Sequence, residues 1–255
     1  MKICFKNWFF PITIMALVSC ANHSSYADPV SHSESNLIYS LTEEDVRRIV
    51  REELASVQNK IEKQDLASLL EEYKLADTSA SSMNYGNKSA RFTLQMFSDV
   101  ECPFCRQMYF DIKKVVDNSR GVINWEYKHF PLSSHNPAAA IEAQAIECIA
   151  SEQGVAKAWV ALDQFIKSTQ GNGEGIQQDL PDFVRSFGLN GSLLKNCLLA
   201  DESKIKVNED FKLGSELGVT GTPAVLLKDN LKRKDYLIKG KKSAEQLLQA
   251  IQSVM

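Results

Sequence analysis

Two closely spaced cysteines are the residues of this chain whose chemistry is easiest to read. Cys102 and Cys105 enclose Pro103 and Phe104, and two thiols at this spacing can close a small redox-active disulfide. Residues 91–98 are apolar and β-prone, whereas the apolar residues after the motif follow a helical period. Cys102 is therefore predicted where a strand gives way to a helix. Unpaired N–H groups and the helix dipole at that end favour an anion, so the Cys102 thiol should ionise readily.

The two sulfurs are expected to have different roles. Cys105 lies on an otherwise apolar helical face, which predicts its burial. That face consists of Cys105, Met108, Ile112 and Val115. Cys102 is then the exposed attacking thiolate, and Cys105 is the shielded thiol that resolves a mixed disulfide. The alternatives are a structural bridge or half of a zinc site, but the other Cys and His residues show no spacing for a second ligand pair. No metal and no cofactor is expected.

The amino terminus predicts the compartment. A basic start precedes an apolar run at residues 8–18, which is too short to span a bilayer but suits a secretory signal. Export to the bacterial periplasm is predicted, with residues 1–27 as the signal peptide. Residues 17–20 (LVSC) also resemble a bacterial lipobox, which would end the signal at residue 19 and leave a lipidated Cys20 on the membrane. A single amino-terminal transmembrane anchor is the remaining alternative.

Four free thiols remain after either cleavage, because Cys4 is removed and Cys20 is either removed or acylated. Besides the motif these are Cys148 and Cys197, and an even number in an oxidising compartment suggests a second pair with a structural role. Spacing alone cannot establish the connectivity, and two isolated buried thiols are the alternative.

Charge and composition exclude some classes of function. The 255 residues carry a formal net charge of −3, and the sequence contains no run of basic residues interleaved with aromatic residues that would indicate nucleic-acid binding. Serine-rich tracts at residues 28–40 and 77–90 are interpreted as linkers.

A long helix is predicted between these linkers, at residues 41–76, with Thr42 as its cap. Its apolar stripe comprises Val46, Val50, Leu54, Val57 and Ile61, and Leu66, Leu69, Leu70 and Tyr73 resume it slightly out of phase. Because a lone helix cannot bury such a stripe, the helix needs a partner. Two partners are equally compatible with the sequence: a second copy of the chain, or the helix's own catalytic domain.

Alternating elements follow the cysteine motif. A strand at residues 122–130 precedes a helical region at about 137–217, and two short strands at 224–228 and 236–239 lead to a last helix. Residues 91–255 therefore predict an α/β catalytic domain, a thioredoxin fold with an inserted helical domain, preceded by the long amino-terminal helix.

Three motifs resemble the DsbA-like family of exported thiol–disulfide oxidoreductases. They are residues 97–105 (FSDVECPFC), 130–132 (FPL) and 218–223 (GVTGTP), within a resemblance that spans about residues 85–255. The resemblance implies that Pro223 is cis and lies against the active-site disulfide, and that Thr222 beside it contacts an extended substrate strand. Cys148 and Cys197 are similar to positions where many members carry a second cysteine pair.

The chain departs from that pattern at two positions. Met96 stands where many relatives carry a buried acid that moves protons to and from the resolving cysteine, and Glu126 or a bound water could replace it. Phe104 stands where the strongest oxidants have histidine. Without that cation, and with Glu101 beside Cys102, the thiolate should be less stabilised, so a milder oxidant is predicted.

The resemblance leaves the direction of action open. The amino-terminal helix is similar to the oligomerisation elements of DsbC-like or ScsC-like isomerases, and Thr222 also resembles the isomerases. We therefore expect a homo-oligomer, with a dimer favoured, that isomerises or reduces unfolded and misoxidised exported proteins and exchanges electrons with a membrane redox partner. A DsbA-type disulfide donor is the alternative. A periplasmic metal-handling or binding protein, with Cys102 and Cys105 as Cu(I) ligands and His129 and His135 as ordinary surface or loop residues, is a further alternative.

Overall fold

The computed structural model describes residues 42–78 and 82–255, with only the backbone described for residues 58–64. The predicted signal peptide, the lipidated Cys20 and the first linker lie outside the described residues. The chain divides into two compact units, Met1–Arg47 and Arg48–Met255. Of the first unit the start of the long helix is described, where the Asp45 N–H donates to the Thr42 hydroxyl at 3.1 Å. Thr42 therefore caps this helix.

The described residues contain eight α-helices and five strands. In chain order they are α1 (Glu43–Glu72), β1 (Asn84–Tyr85), β2 (Phe92–Ser98), α2 (Pro103–Asn118), β3 (Ile123–His129), α3 (Ala138–Gln153), α4 (Val155–Ser168), α5 (Leu180–Arg185), α6 (Gly191–Cys197), α7 (Glu202–Glu216), β4 (Ala224–Asp229), β5 (Lys234–Lys239) and α8 (Ala244–Val254). A short 3-10 helix, Ser133–His135, precedes α3.

The strands form one sheet in the order β1-β3-β2-β4-β5. β2 and β3 are parallel, and every other neighbouring pair is antiparallel. Helices α3 to α7 are inserted between β3 and β4. This arrangement confirms the predicted α/β thioredoxin fold with an inserted helical domain.

Alternation along β2 divides the core between the two faces of the sheet. Leu94 and Met96 belong to the large buried cluster that also holds α2 and α8, whereas Phe97 belongs to a second cluster with Phe130 and Val219. The active-site motif follows β2 directly, so its position is set by the most central strand.

The predicted second linker is wrong in part. Within residues 77–90, Met83 and Tyr85 are buried, and β1 pairs with β3. Two large apolar side chains in a serine-rich tract are enough to add an edge strand, because each buries an area comparable to a core residue. The domain that carries the sheet therefore begins before residue 91.

The apolar stripe of α1 is divided between two environments. Leu66, Leu69 and Leu70 pack against the domain core, and the Tyr73 hydroxyl lies 2.7 Å from the Tyr109 hydroxyl. The earlier stripe residues are exposed by 46 to 64%. They are Val46, Val50, Leu54 and Val57. The Ile61 side chain lies outside the described residues. The described contacts between this helix and the domain core therefore lie near the carboxyl end of the helix.

Candidate active site

The cysteine motif starts helix α2. Cys102 is the N-cap residue and Pro103 the first helical residue, a position where a missing N–H removes no helical hydrogen bond. Cys102 is 5% exposed and Cys105 is 1% exposed, so the prediction of an exposed Cys102 is wrong. The loop that ends in Thr222 lies against its sulfur. Pro103 and Phe104 are the exposed residues of the motif, and Phe104 is 60% exposed.

The two thiols differ strongly in acidity. A hydrogen bond from the Cys105 side chain lowers the pKa of Cys102 to about 6 against the opposing effect of burial, and the backbone N–H groups of Cys105 and Phe104 lower it further. Burial, and then the neighbouring Cys102, raise the pKa of Cys105 well above its usual value. Near neutral pH the first sulfur is therefore a thiolate and the second keeps its proton.

The Thr222–Pro223 peptide bond is cis and adjoins the first sulfur. The Cys102 Sγ lies 3.7 Å from the Thr222 carbonyl oxygen, and the Gly240 N–H donates to the Pro223 carbonyl at 3.0 Å. A second cis bond, Asn136–Pro137, was not anticipated from the sequence. The geometry leaves the backbone at Thr222 next to the sulfur that would carry a bound polypeptide.

Glu101 does not oppose the thiolate in the way the sequence suggested. Its buried carboxylate accepts hydrogen bonds from the N–H groups of Gly173 and Gly175, at 2.8 and 2.9 Å, and from the Thr169 hydroxyl. Sequence reasoning missed this contact. The loop from the inserted domain thus holds the residue just before Cys102.

Another acid lies beside Glu101. Burial, and then the charge of Glu101, raise the pKa of Glu142 to about 9. Its Oε1 accepts from the Ile176 N–H at 3.0 Å. A neutral Glu142 can therefore lie beside the Glu101 carboxylate without a second negative charge.

The Asp99 side chain stabilises the turn before the motif through hydrogen bonds. Its carboxylate accepts from the N–H groups of Glu101 and Leu132 and lies 2.8 Å from His135 Nδ1. Burial raises the pKa of Asp99 despite these contacts. His135 was interpreted as an ordinary loop residue, but it links the loop after β3 to the motif turn.

A family model described as Thioredoxin matches residues 78–253. The chain belongs to the thioredoxin family. Among solved structures it resembles DsbA2 of Pseudomonas aeruginosa, with 29% identity and a TM-score of 0.61 over 68% of this chain and 93% of that one. A linker-deletion variant of Proteus mirabilis ScsC has 22% identity and a TM-score of 0.51, over 87% of this chain and 98% of that one.

A curated relative is much longer. The Na(+)/H(+) antiporter NhaA 1 of Salinispora arenicola is 24% identical over 159 residues, which are 62% of this chain and 23% of that protein. The chain thus spans about a quarter of that relative, and the ion exchange in its name is not carried over. None of the helices that the structure describes has the length and apolar character needed to cross a membrane. The family match and the likeness to DsbA2 support a DsbA-like domain with the thioredoxin fold.

In this thioredoxin-family domain, Met96 is fully buried opposite Tyr127. The suggested substitute Glu126 is on the other face of the sheet, where it bonds Gln95 at 2.6 Å and Lys128 at 3.0 Å. The hypothesis that Glu126 exchanges protons with Cys105 is therefore wrong, because alternation along β3 turns it away from the dithiol.

The other cysteines of the domain are joined in a disulfide. Cys148 of α3 and Cys197 of α6 have Cα atoms 5.7 Å apart and a sequence separation of 49 residues. Closing a loop of this length stabilises the folded chain by about 4 kcal/mol in the chain-entropy model. The bond ties two helices of the insertion to each other.

An apolar groove of about 630 Å³ lies beside the loop that leads to Thr222. Phe130, Leu132, Phe211 and Val219 are among its lining residues. Within the described part of the chain, no group of three or more His, Cys, Asp and Glu residues could hold a metal ion.

Proposed function

We propose that this thiol–disulfide oxidoreductase acts in the bacterial periplasm as an isomerase or reductase of exported proteins. The observation that carries the proposal is the Cys102 thiolate, with its pKa of about 6, beside the Thr222 carbonyl and in front of the protonated Cys105. A thiolate is the attacking species in thiol–disulfide exchange.

The reaction begins when the Cys102 thiolate attacks one sulfur of a client disulfide. The client S–S bond breaks, its second sulfur leaves as a thiolate, and a mixed disulfide forms. In isomerisation that client thiolate attacks a different client disulfide, and another client thiolate later frees Cys102. In reduction, Cys105 displaces the client instead, and the motif becomes a disulfide.

Thr222 and Pro223 are proposed to hold the client during these steps. The backbone beside a cis proline can pair with an extended strand, and the neighbouring apolar groove can accept client side chains. Phe104, an exposed residue of the motif, offers a further apolar contact. These features suit unfolded polypeptides better than small thiols.

The exposed stripe of α1 favours isomerase over oxidase. Four apolar side chains exposed by 46 to 64% on one helical face are proposed to pair with a second copy of the chain, which gives a homo-oligomer, with a dimer favoured. The match to the ScsC variant covers 87% of this chain, compared with 68% for DsbA2, and so includes more of the amino-terminal region. Two catalytic domains joined in this way would enclose a cleft for misoxidised clients.

A DsbA-type oxidase is the second candidate, and the acidity of Cys102 favours it. A low pKa makes the thiol a good leaving group and stabilises the reduced form, so the motif disulfide is more oxidising. An oxidase would hand its disulfide to clients and recover it from a membrane redox partner.

The basic activity is tested by reduction of insulin with dithiothreitol. Wild-type protein should accelerate the reaction and Cys102→Ser should not. In addition, Cys105→Ser should accumulate covalent adducts with exported proteins, because the resolving thiol is missing. Equal rates for wild type and Cys102→Ser would exclude the proposal and favour a metal-binding or other binding role.

Isomerase and oxidase are separated by recovery of scrambled, disulfide-bonded ribonuclease. The double variant Val50→Glu/Leu54→Glu should become monomeric in light scattering and lose isomerase activity while keeping insulin reduction. Ala55→Glu/Ser56→Glu adds the same charge at exposed positions off the stripe and should behave as wild type. Full isomerase activity in a monomeric variant would remove the argument from oligomerisation.

The predicted membrane attachment has its own test. Mass spectrometry of the mature protein should find either an acylated Cys20 or a first residue after Ala27. Cys20→Ser should release the protein from the membrane fraction only in the first case.

A further inference from the structure

Polar side chains without partners lie on the strands beneath the dithiol. Ser98 Oγ, the Tyr127 hydroxyl and both ring nitrogens of His129 are buried and make no hydrogen bond of good geometry among the described residues, although the Ser98 side chain is close enough to the Tyr127 hydroxyl to act on its pKa. Each of the three residues is only 1% exposed. Buried polar groups in folded proteins are nearly always paired, so a cluster of this kind calls for an explanation.

The register of β2 and β3 brings these groups together. Tyr127 is opposite Met96, and His129 is opposite Ser98. Since side chains two residues apart share a sheet face, all of them lie on the face that carries α2. Tyr127 belongs to the same buried cluster as Cys105, and its ring centroid is 5.1 Å from that of His129.

The cluster leads away from the dithiol to a cavity. His129 Nε2 lies 3.2 Å from Glu147 Oε1 on α3. Burial acts to raise the pKa of Glu147, but the contact with His129 brings it below its usual value. Glu147 lines a cavity of about 330 Å³ together with Ser203 and Lys206, which has room and polar groups for water.

We propose that Tyr127, His129 and Glu147 form a buried proton path between Cys105 and this cavity. The inference rests on the proposed function, because it concerns the step in which Cys105 resolves a mixed disulfide. Ser98 completes the hydroxyl end of the path. His129, interpreted from the sequence as an ordinary surface or loop residue, thus becomes the residue that receives the proton.

Resolution of the mixed disulfide releases the proton of Cys105. The Cys105 sulfur bonds to the Cys102 sulfur, the bond between Cys102 and the client breaks, and the client sulfur leaves with the electron pair as a thiolate. The client is reduced and the motif is oxidised. The proton of Cys105 passes through the Tyr127 and Ser98 hydroxyls to His129, whose cation is stabilised by the Glu147 carboxylate until water in the cavity takes it.

The alternatives around Cys105 are unsuited to this task. The Met96 thioether is a weak acceptor that carries no exchangeable proton, and Glu126 lies on the opposite face of the sheet. The Asp99 carboxylate already accepts two backbone N–H groups and contacts His135. Other titratable and charged groups that act on the path residues are Cys102, Tyr109, Lys128, Lys206 and Asp210, the last accepting from the His129 N–H at 3.2 Å.

The test separates capture from resolution by rapid mixing of the mature protein with a disulfide-bonded model peptide. His129→Asn and Tyr127→Phe should slow resolution by about a hundredfold, the lower end of the range for loss of a general acid–base group, and leave capture by Cys102 within about twofold. Their resolution rates should also require higher pH, since hydroxide must replace the missing base. Glu147→Gln should have a smaller effect in the same direction.

A matched control removes another buried hydroxyl from the same core. Tyr109→Phe loses the contact with the Tyr73 hydroxyl and should resolve the mixed disulfide at the wild-type rate. Thermal unfolding must show that each variant is folded. Wild-type resolution rates in folded His129→Asn and Tyr127→Phe would overturn the path, as would an equal slowing of capture and resolution. Failure of wild type itself to exchange disulfides would instead remove the proposed function.

Discussion

The two cysteine pairs of this domain differ in chemistry, although each includes a cysteine that is almost completely buried. Cys105 and Cys148 are 1% and 0% exposed, yet the first is a free thiol and the second forms a disulfide. The motif pair begins a helix, where backbone N–H groups and a neighbouring thiol stabilise one sulfur anion. Cys148 and Cys197 instead join two helices of the insertion. The comparison shows that donors around a sulfur, and not burial, distinguish a reactive cysteine from a structural one.

The largest effect is expected from removal of one sulfur of the reactive pair. Cys102→Ala should lower the rate of insulin reduction to that measured without protein, because it removes the thiolate that lies beside the Thr222 carbonyl. Cys148→Ala/Cys197→Ala should keep most of the wild-type rate under conditions where it is folded. A comparable loss of activity in both variants would break the distinction between the pairs.

The structural pair should dominate stability. Cys148→Ala/Cys197→Ala is expected to lower the free energy of unfolding by about 4 kcal/mol, because the unfolded chain regains the freedom of a loop closed over 49 residues. Denaturant titration under oxidising conditions measures this loss. Under reducing conditions wild type should approach the variant, and a persistent difference would point to lost packing instead of a lost cross-link.

Glu101 should affect the stability of the motif turn more than its acidity. Glu101→Gln replaces one carboxylate oxygen by an NH₂ group facing other donors, so a loss of about 1–3 kcal/mol is expected in denaturant titration. The pKa of Cys102 should change little. Glu174→Gln, an exposed position on the same loop, serves as the control and should be neutral. A large change in Cys102 pKa in Glu101→Gln would restore the acid as a direct neighbour of the thiolate.

The smallest effect concerns the pH dependence of capture. Because the largest cause of the low Cys102 pKa is the hydrogen bond from Cys105, Cys105→Ala should raise that pKa, whereas Cys105→Ser keeps a donor and should raise it less. Capture by wild type should increase as the pH rises through about 6 and then level off, and Cys105→Ala should need higher pH. Thiolate absorbance at 240 nm follows the same titration. Identical midpoints in wild type and Cys105→Ala would assign the acidity to the helix start alone.

Much of the fold could be predicted because its signals are local. A change from strand to helical periodicity located β2 and α2. The prediction failed where a few side chains outweighed local composition. Met83 and Tyr85 add an edge strand inside a serine-rich tract, and the stripe of α1 is divided between the core and an exposed face.

Local sequence therefore determined that this chain is a thioredoxin-fold protein with a reactive cysteine pair at a helix start, since spacing, periodicity and helix caps depend on residues a few positions apart. The tertiary structure alone decided how that pair is surrounded. Glu101 accepts hydrogen bonds from Gly173 and Gly175, which lie more than 70 positions later in the chain. The alternation of β3 turns Glu126 away from the dithiol and turns Tyr127 towards the core that contains it. Such contacts depend on how strands and loops pass one another, and a pattern within one segment carries no information about the side chains that another segment brings to it.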